Sequence, residues 1–489
     1  MKVLLVQPTP PRSAWPRGTF RSRWVPSGLA SIAAVLRRAG CDVRVHAREE
    51  HLMKCGLDWP AADALLRRLI DEFRPEMLGL SLTTPALAEG ERIAGWVRRT
   101  CPHAVILAGG PHPSAVPELT LHDCASVDAA VVGEGEQTAV EVARHGLDES
   151  VAGLVLRRDG AMVRTAARPP VADLDSLPDP PYDLFDMAHY TAADRFLIRW
   201  IPLRALNVRT SRGCTHRCTF CAGHVVAGVG VRVHSIQRVV AQVAAGVERF
   251  GIEAVHFEDD TMGADPRRLG ELCEALRRRD LHRRVRWDCC LRVDQVSPPL
   301  LRDMRSAGCI QVEYGLESGS DESLRRLGKR STAEMNRRAV SLAREAHLRV
   351  FADIMVGLPG ETEADFRATL KFLRWARPEV LSAARLCPLP GTPVYDALPA
   401  ATRDSLDWAG YAYIDEPGFR LNLTAMGDER FEGLYRRFQR YFARPAVMWQ
   451  FLCDTPPGDA EERRGLRRKL RRFIVRHPLR ALRVPWRRQ

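Results

Sequence analysis

Three cysteines lie within eight residues of one loop. The stretch "TSRGCTHRCTFCAGH" places Cys214, Cys218 and Cys221 directly after an apolar run that is typical of a β-strand. Structural zinc is nearly always held by four protein ligands, so a compact set of three predicts a metal centre with one open position. A 4Fe-4S cluster held by three thiolates leaves one iron in that state. The alternatives are a zinc knuckle that borrows His216 or His224, and cysteines that share a loop by chance.

The cysteine loop follows the first of six predicted strands that alternate with helical patterns. The strand candidates are the runs "LRALNVRT", "EAVHFEDD", "VRWDCCLRV", "IQVEYGLES", "VFADIMVGLPG" and "LSAARLCPLPG". Six parallel strands are too few for the usual eight-stranded barrel, so we predict a partial (β/α)6 barrel whose functional groups lie at the carboxyl ends of its strands. The cysteines, "FEDD" and "YGLES" fall there. Cys289 and Cys290 are adjacent on one strand, so at most one of them faces the barrel interior.

The first 146 residues also alternate short apolar runs with helical patterns. Five strands with helices between them predict an open, doubly wound, Rossmann-like α/β domain. Its strand ends carry "QPTPP", "LTTP", "AGGPHPS" and "GEGE", where ligands of such sheets bind. Gly109, Gly110 and Gly133 permit close approach to a bulky ligand, although they could equally be plain turn residues. The first turn lacks the G-x-G-x-x-G pattern that holds a pyrophosphate.

The spacing C-x3-C-x2-C, with Phe220 before the last cysteine, resembles the signature of the radical S-adenosylmethionine (SAM) superfamily. The resemblance covers residues from about 203 to 395, including "GLPGET" and "PLPGTPVY" at later strand ends. It implies that the three cysteines hold a 4Fe-4S cluster and that SAM binds its fourth iron. It also implies that Glu258 or its backbone contacts the SAM amino group, and that Glu317 and Ser318 contact the ribose and methionine portions.

The front of the chain carries a second resemblance. "GLSLTTP", "LAGGPHPSAVPE" and "VDAAVVGEGE" occur in the order found in the cobalamin-binding domain of cobalamin-dependent (class B) radical SAM enzymes. The resemblance implies cobalamin contacts at these strand ends from Thr83, Gly109, Gly110, His112, Gly133 and Glu134. No D-x-H-x-x-G motif is present. His112 is the only histidine in the glycine-proline turn, so it is a candidate cobalt ligand, with an ordinary hydrogen-bonding role as the alternative.

Together the two resemblances imply C-methylation of an unactivated carbon in a small-molecule substrate of secondary-metabolite type, as in antibiotic biosynthesis. One SAM would methylate cobalamin and a second would supply a deoxyadenosyl radical, with the electron coming from a donor such as flavodoxin or ferredoxin. An alternative with the same cofactors is cyclisation, oxidation or ring rearrangement without methyl transfer, as in the anaerobic oxidative cyclase of bacteriochlorophyll synthesis. A cluster- and cobalamin-based sensor, or a cobalamin carrier, belongs to another class.

Length and charge suggest the remaining organisation. We expect a cobalamin-binding domain over 1–146, a linker over 147–200, a radical SAM core over 201–395 and a mostly helical region over 396–489. The net charge is +13, of which residues 461–489 contribute +10. Most of the net charge therefore belongs to the C-terminal tail, and the predicted catalytic domains are nearly neutral.

The tail itself has the pattern of a basic amphipathic helix. Leu466, Leu470, Phe473 and Ile474 recur at helical spacing between arginines. A solvated face that docks on its own protein is expected for such a run. Peripheral contact with an anionic membrane is a less favoured reading, and nucleic-acid binding is not expected. Thirteen cysteines, no run of about 18 apolar residues and a start unlike a secretory signal indicate a reducing, cytoplasmic location.

Overall fold

The structure, a computed structural model, describes residues 1–10, 23–158, 160–193, 197–199, 201–411, 421–442 and 471. Within these residues the strands, numbered in chain order, are β1 (Lys2–Gln7), β2 (Asp42–Ala47), β3 (Met77–Ser81), β4 (Val105–Gly109), β5 (Ala129–Val131), β6 (Leu154–Arg158), β7 (Ala161–Arg164), β8 (Ala205–Val208), β9 (Ser211–Arg212), β10 (Arg232–Val233), β11 (Ala254–Phe257), β12 (Arg286–Leu291), β13 (Cys309–Glu317), β14 (Arg349–Val356) and β15 (Val380–Arg385). They form one seven-stranded, one six-stranded and one two-stranded sheet.

The first sheet has the strand order β2-β1-β3-β4-β5-β6-β7. Its first five strands are parallel, which confirms the predicted doubly wound α/β domain. Strand β1 shows why its sequence is almost entirely apolar. Leu4 and Val6 lie in the hydrophobic core on one face, and Val3 and Leu5 lie in the core on the other. A strand that is covered on both faces has no need for alternating polar residues.

The segment predicted as an extended linker begins with a β-hairpin. Strands β6 and β7 pair antiparallel, and β6 also pairs antiparallel with β5, so the hairpin extends the first sheet. The expectation of an unpacked connector was wrong for these residues. An Asp-Gly dipeptide separates the two runs in the sequence, and this pair is a strong hairpin signal. The prolines that suggested a linker occur only from residue 169 onward.

The second large sheet has the order β15-β14-β13-β12-β11-β8, and every adjacent pair is parallel. Strands β8 and β15 are its two edges, so the sheet is the predicted partial barrel. Its outer face is apolar: Val255, Trp287, Val312 and Val350 lie in one core with the surrounding helices. The carboxyl ends of all six strands lie at one mouth, which is where the cysteine loop begins.

Helices cover both sheets. In the described part of the chain the α-helices are Ser27–Arg38, Arg48–Lys54, Trp59–Phe73, Leu87–Thr100, Pro111–Ala115, Pro117–Asp123, Glu136–His145, Met187–Tyr190, Gly223–Ala227, Ile236–Phe250, Pro266–Arg278, Leu281–Arg284, Pro298–Ser306, Asp321–Arg326, Ala333–Glu345, Glu363–Ala376, Pro393–Asp396, Ala400–Asp404 and Asp428–Phe442. None of the helices in the described residues has the length and apolarity required to cross a bilayer.

The C-terminal region is partly described. Phe431, Leu434 and Phe438 of the helix Asp428–Phe442 are buried in the same core as the outer face of the barrel. This helix is therefore an integral part of the second domain. The amphipathic pattern predicted from Leu466 to Ile474 lies outside the described residues, apart from residue 471.

Candidate active site

The cysteine loop is closed at its base by a short ribbon. Strand β9, which follows β8, pairs antiparallel with β10. Between β9 and the first cysteine, Gly213 has a φ of +89°, and a Cβ there would lie 2.3 Å from the carbonyl oxygen of Gly230. Only glycine fits this approach. The Gly213 amide donates to Asp260 Oδ2 at 3.0 Å, and the amide of Gly230 donates to the carbonyl of Cys214 at 3.1 Å.

The three thiols of the loop are close neighbours in different surroundings. Cys218 is buried, Cys214 is half-buried, and Cys221 keeps the most accessible surface of the three although protein surrounds it. Burial raises the pKa of both Cys214 and Cys221, and the proximity of the other loop thiols raises it further. Among the described residues, no three His, Cys, Asp or Glu side chains converge as a single metal ion requires. The loop itself offers three thiols, which is the number that leaves one iron of a 4Fe-4S cluster open.

Two buried cations lie beneath the loop. Arg292 Nη1 lies 3.9 Å from Cys218 Sγ, and its Nη2 donates to the carbonyl oxygen of Lys329 at 2.6 Å. Lys329 Nζ lies 5.8 Å from the ring centroid of Phe220. Both cationic groups therefore lie next to the cysteine loop, where Asp294 pairs with Arg292 and Glu317 pairs with Lys329.

Lys329 connects the loop to the end of β13. Its Nζ pairs with Glu317 Oε1 at 2.7 Å, and both side chains are less than 10% exposed. Burial would lower the pKa of Lys329, but the attraction of Glu317 outweighs it and the pKa is raised. Glu317 has a φ of +58° at a register shift in β13, a conformation that costs energy unless contacts hold it. Glu317 is therefore fixed beside the cluster loop, and its contact with SAM stays a prediction.

The structure does not bring Ser318 to the same place. Its hydroxyl is fully buried, lies 2.9 Å from Thr369 Oγ1 and accepts from the amide of Ser320. The side chain of Ser318 is part of the packing behind β13, so no SAM contact from it is supported.

The acidic stretch after β11 divides into three different roles. Glu258 faces the domain boundary and accepts from Asn207 at 2.8 Å and Arg209 at 2.7 Å. Asp259 is buried, and it accepts from the backbone amides of Thr210 and Ser211. Its role is to fix the start of the loop.

The third acid of the stretch, Asp260, was not predicted as a site residue. It holds the Gly213 amide, and its Oδ1 lies 3.7 Å from where a Cβ on Gly223 would be, next to Cys221. Asp260 therefore stands nearer the cluster loop than Glu258 does. The sequence shows three adjacent acids in "FEDD", which marked this stretch as a candidate site. The sequence does not show which of them faces the cysteines, because the path of the loop decides that.

One cavity of about 640 Å³ lies between the two domains. Its front wall includes five of the residues predicted to contact cobalamin, namely Thr83, Gly109, Gly110, Gly133 and Glu134. Its rear wall includes four residues of the barrel mouth, namely Ala222, Gly223, Glu258 and Asp260. The volume is within the range of about 300–1,000 Å³ that is usual for ligand sites. The strand ends of both domains thus face a single chamber.

The glycine turn after β4 shows why this wall can accept a bulky group. Gly110 has a φ of +101°, and a Cβ there would lie 3.0 Å from both the amide nitrogen and the carbonyl oxygen of Leu82. A larger residue would have to displace the neighbouring backbone. The turn therefore presents bare backbone to the cavity.

Glu134 is held by arginines of the second domain. Its carboxylate accepts two hydrogen bonds from Arg232, at 2.8 and 2.9 Å, lies 3.1 Å from Arg212, and accepts from the amide of Val171. Burial alone would raise its pKa, but these bonds lower it. Arg212 also donates to Glu136 at 2.7 Å. The "GEGE" turn of the first domain is therefore bound directly to the segment that precedes Cys214.

His112 lies away from the cavity. It is 1% exposed, its Nδ1 is 3.1 Å from Thr84 Oγ1, and its ring meets Trp408 edge-on with centroids 5.3 Å apart. Burial lowers its pKa to about 4. It is absent from the residues that line the chamber, so its prediction as a cobalamin contact is not supported. The positive φ of Gly110 turns the chain into the short helix Pro111–Ala115, which carries the imidazole inward.

Comparison with known proteins agrees with this architecture. Residues 16–143 match the B12 binding domain, and residues 208–373 match the radical SAM superfamily. An uncharacterized methyltransferase, PH0819, of Pyrococcus horikoshii is 29% identical over 92% of this chain and 94% of its own length. An anaerobic magnesium-protoporphyrin IX monomethyl ester cyclase of Cereibacter sphaeroides is 24% identical over 87% of this chain and 68% of its own.

A solved structure has the same fold. The radical SAM methyltransferase TsrM of Kitasatospora setae, determined with cobalamin and a 4Fe-4S cluster bound, matches with a TM-score of 0.71 and 18% identity, over 97% of this chain and 99% of TsrM.

The matched domains and the chamber between them define an enzyme that joins a B12-binding domain to a radical SAM barrel. The chain belongs to the cobalamin-dependent radical SAM enzymes, and its cofactors are a 4Fe-4S cluster, SAM and cobalamin. The cysteine loop and the glycine-lined wall both fit these groups.

Proposed function

We propose that this protein transfers a methyl group from SAM to an unactivated carbon of a small molecule. The observation that carries the proposal is the shared chamber, because glycine turns of the first sheet and the mouth of the barrel line it together. A substrate in that chamber would be within reach of both cofactors. If the cluster and cobalamin acted in separate reactions at separate surfaces, no shared chamber would be needed.

In this proposal Cys214, Cys218 and Cys221 hold the cluster, and SAM binds its open iron. Glu317 and the backbone near Glu258 contact SAM, with Asp260 added from the structure. When bound, the cofactors supply a radical that removes a hydrogen atom and a methyl group that replaces it. The chain itself must hold the reacting atoms close together and keep water out.

Cobalamin lies, in this proposal, against the wall formed by Thr83, Gly109, Gly110 and Gly133. The apolar side chains of the first sheet that line the chamber would cover a large part of it, namely Leu5, Met77, Leu80, Leu107 and Val131. Glu134 acts indirectly, since its carboxylate is occupied by Arg212 and Arg232. Its part is to hold the wall against the cluster loop.

Methyl transfer is favoured over cyclisation by the relative from Pyrococcus horikoshii, which bears a methyltransferase name and aligns along nearly the whole chain. The cyclase relative carries the second candidate, a radical oxidation or ring closure with the same cofactors. We expect a small-molecule substrate and an external one-electron donor for either reaction.

The test is an anaerobic reaction of the reconstituted holoenzyme with SAM that carries a trideuterated methyl group, a strong reductant and candidate small molecules. Methyl transfer predicts both S-adenosylhomocysteine and deoxyadenosine, and a product that contains the label. Deoxyadenosine with an unlabelled, altered product would instead support the cyclase-type reaction. Replacing the three cysteines by alanine should abolish deoxyadenosine and leave cobalamin bound. If this variant still formed deoxyadenosine, the cluster assignment would be wrong.

A further inference from the structure

We propose that Asn207 is a positioning residue that holds the cobalamin-binding domain on the mouth of the barrel and so sets the alignment of the two cofactors. The segment that it holds is residues 24–27, the clamp, which leads into the helix Ser27–Arg38. The inference rests on the proposed function, because it takes both cofactors to act in one chamber. It adds to that function a residue that controls how the cofactors meet.

The clamp belongs to the first domain and forms part of the chamber wall. The helix that it leads into packs in the core of the first sheet through Leu29, Ala33 and Leu36. All four clamp residues line the chamber. A shift of the clamp would therefore move the wall of the cobalamin-binding domain relative to the barrel.

Asn207 binds the backbone of the clamp. Its neighbours Leu206 and Val208 lie in the outer core of the barrel, so its side chain is on the opposite face of β8. Its Oδ1 accepts from the amide of Val25 at 2.9 Å, and its Nδ2 donates to the carbonyl oxygen of Val25 at 3.0 Å. Val25 is 4% and Asn207 6% exposed, so water has little access to replace these bonds.

A second set of bonds joins the clamp to the end of β11. The Nδ2 of Asn207 also donates to Glu258 Oε2 at 2.8 Å, and the hydroxyl of Ser27 donates to Glu258 Oε1 at 3.3 Å. Arg209 pairs with the same carboxylate at 2.7 Å, so the charge of Glu258 is compensated. The side chain of Glu258 is therefore occupied by the domain junction and supports Asn207.

Trp24 fixes the clamp against the interior of the barrel. Its ring centroid lies 4.8 Å from that of His256. His256 lies between Val255 and Phe257 of the outer core, so it is on the inner face of β11. The His256 ring is itself held by Asp288, with 2.9 Å between Nδ1 and Oδ1. The clamp is therefore bound to β8 and β11 by an aromatic contact as well as by hydrogen bonds.

The place of Asn207 in the chain connects the clamp to the cluster loop. Asn207 lies seven residues before Cys214. Between them, the amides of Thr210 and Ser211 both donate to Asp259, which fixes the path into the loop. A clamp bound to Asn207 thus fixes the cobalamin wall relative to the cysteines. Such alignment matters for rate, because a displacement of about 1 Å can cost about a hundredfold.

The first test measures amide hydrogen exchange in the full-length holoenzyme. In Asn207→Leu the peptide that contains Val25 should exchange at least about tenfold faster, because its amide loses a buried partner. The matched control is Asn422→Leu, since Asn422 makes similar bonds to the carbonyl oxygen of Met426 and to Asp428, both at 2.8 Å. The control should leave exchange at Val25 unchanged. Parental exchange in Asn207→Leu would overturn the proposal.

The second test is spectroscopic and follows the alignment of the cofactors. In the anaerobic holoenzyme with a reduced cluster and Co(II), Asn207→Leu should keep the parental iron and cobalamin content. Its magnetic dipolar coupling between the two paramagnets should be weaker or more broadly distributed than in the parent, whereas Asn422→Leu should show the parental coupling. Parental coupling in Asn207→Leu would also overturn the proposal.

Product analysis with SAM and a strong reductant separates positioning from a general structural role. Formation of S-adenosylhomocysteine needs both cofactors, and formation of deoxyadenosine needs the cluster. Asn207→Leu should lower S-adenosylhomocysteine formation by about tenfold to a hundredfold and keep deoxyadenosine formation within about threefold. If both fell in parallel, Asn207 would have a structural role only and the proposal would be rejected.

Asn207→Asp carries the same tests if Asn207→Leu loses its cofactors. The aspartate has the same size and can still accept from the Val25 amide, but it loses both donor bonds and places a like charge beside Glu258. It should change exchange, coupling and products in the same direction. A parent enzyme without dipolar coupling or without S-adenosylhomocysteine would refute the proposed function. A parent that shows both, with unaffected variants, would refute the clamp alone.

Discussion

The buried pair of Arg212 and Glu136 allows a quantitative test of how the two domains are joined. Arg212 Nη2 donates to Glu136 Oε1 at 2.7 Å, and the side chains are 13% and 5% exposed. Solvent therefore screens the contact little, and a hydrogen bond to a charged group in such surroundings contributes about 1.5–3 kcal/mol. Ser31 also donates to Glu136, and its bond remains when Arg212 is replaced. We expect a coupling energy of about 2 kcal/mol.

The assay is a double-mutant cycle with Arg212→Met, Glu136→Gln and their combination, measured by urea unfolding. The two variants that lack Arg212 lose its contact with Glu134 equally, so this contact cancels. The cycle therefore measures the coupling energy between Arg212 and Glu136. The matched control is the exposed helical pair of Arg278 and Glu274, whose side chains are 68% and 56% exposed. There we expect at most about 0.5 kcal/mol. Equal coupling energies in the two cycles would refute the idea that this interface is held by desolvated charge.

Three further predictions concern single side chains. Gly110→Ala should weaken cobalamin retention on gel filtration by at least about tenfold, because it strains a positive-φ turn in the chamber wall. Deoxyadenosine formation should persist in this variant. Unchanged retention of cobalamin would contradict the prediction. Burial lowers the pKa of His112 to about 4, and Asp123 opposes this shift. As the pH falls, the unfolded chain therefore binds the proton before the folded protein does. The free energy of unfolding should fall between about pH 6.5 and 4. His112 should contribute about 2 kcal/mol to the loss between pH 7 and 5, and His112→Gln should reduce the loss by that amount, as urea titrations at the two pH values would show; an unchanged loss would contradict this. Lys329→Met should lower the free energy of unfolding by about 3–5 kcal/mol, because Glu317 loses its partner in the buried ion pair. The variant should also hold less iron after reconstitution. A variant as stable as the parent would exclude a buried ion pair.

The sequence was most informative where chemistry and strand ends coincide. The three cysteines, "FEDD" and "LTTP" each directly follow an apolar run, and the structure places all three at the ends of parallel strands. This follows from hydrophobic periodicity, which locates strands, and from topology, which brings the ends of parallel strands to one edge. Predicting the meeting of two sheet edges in one chamber required the family resemblance as well.

Side-chain partners were less predictable. Strand β11 ends at Phe257, so the alternation that orients side chains stops before Glu258 and Asp260, and the loop path decides which acid faces the cysteines. Glu134 was predicted as a ligand contact, but its partners Arg212 and Arg232 lie far along the chain. Lys329 was missed because a lone lysine twelve residues after Glu317 forms no pattern. Such long-range pairing depends on the packed domains and leaves no local signal.

The central claim is that the cluster and cobalamin face the same chamber. The most direct measurement is electron paramagnetic resonance of the anaerobic holoenzyme in which the cluster is reduced and the cobalt is Co(II). Residues that line the chamber lie next to Cys221 on one side and on the glycine turns on the other. We predict that the two paramagnets show magnetic dipolar coupling, which disappears in the variant that lacks the three loop cysteines. Two independent, uncoupled signals in the intact enzyme would contradict the account.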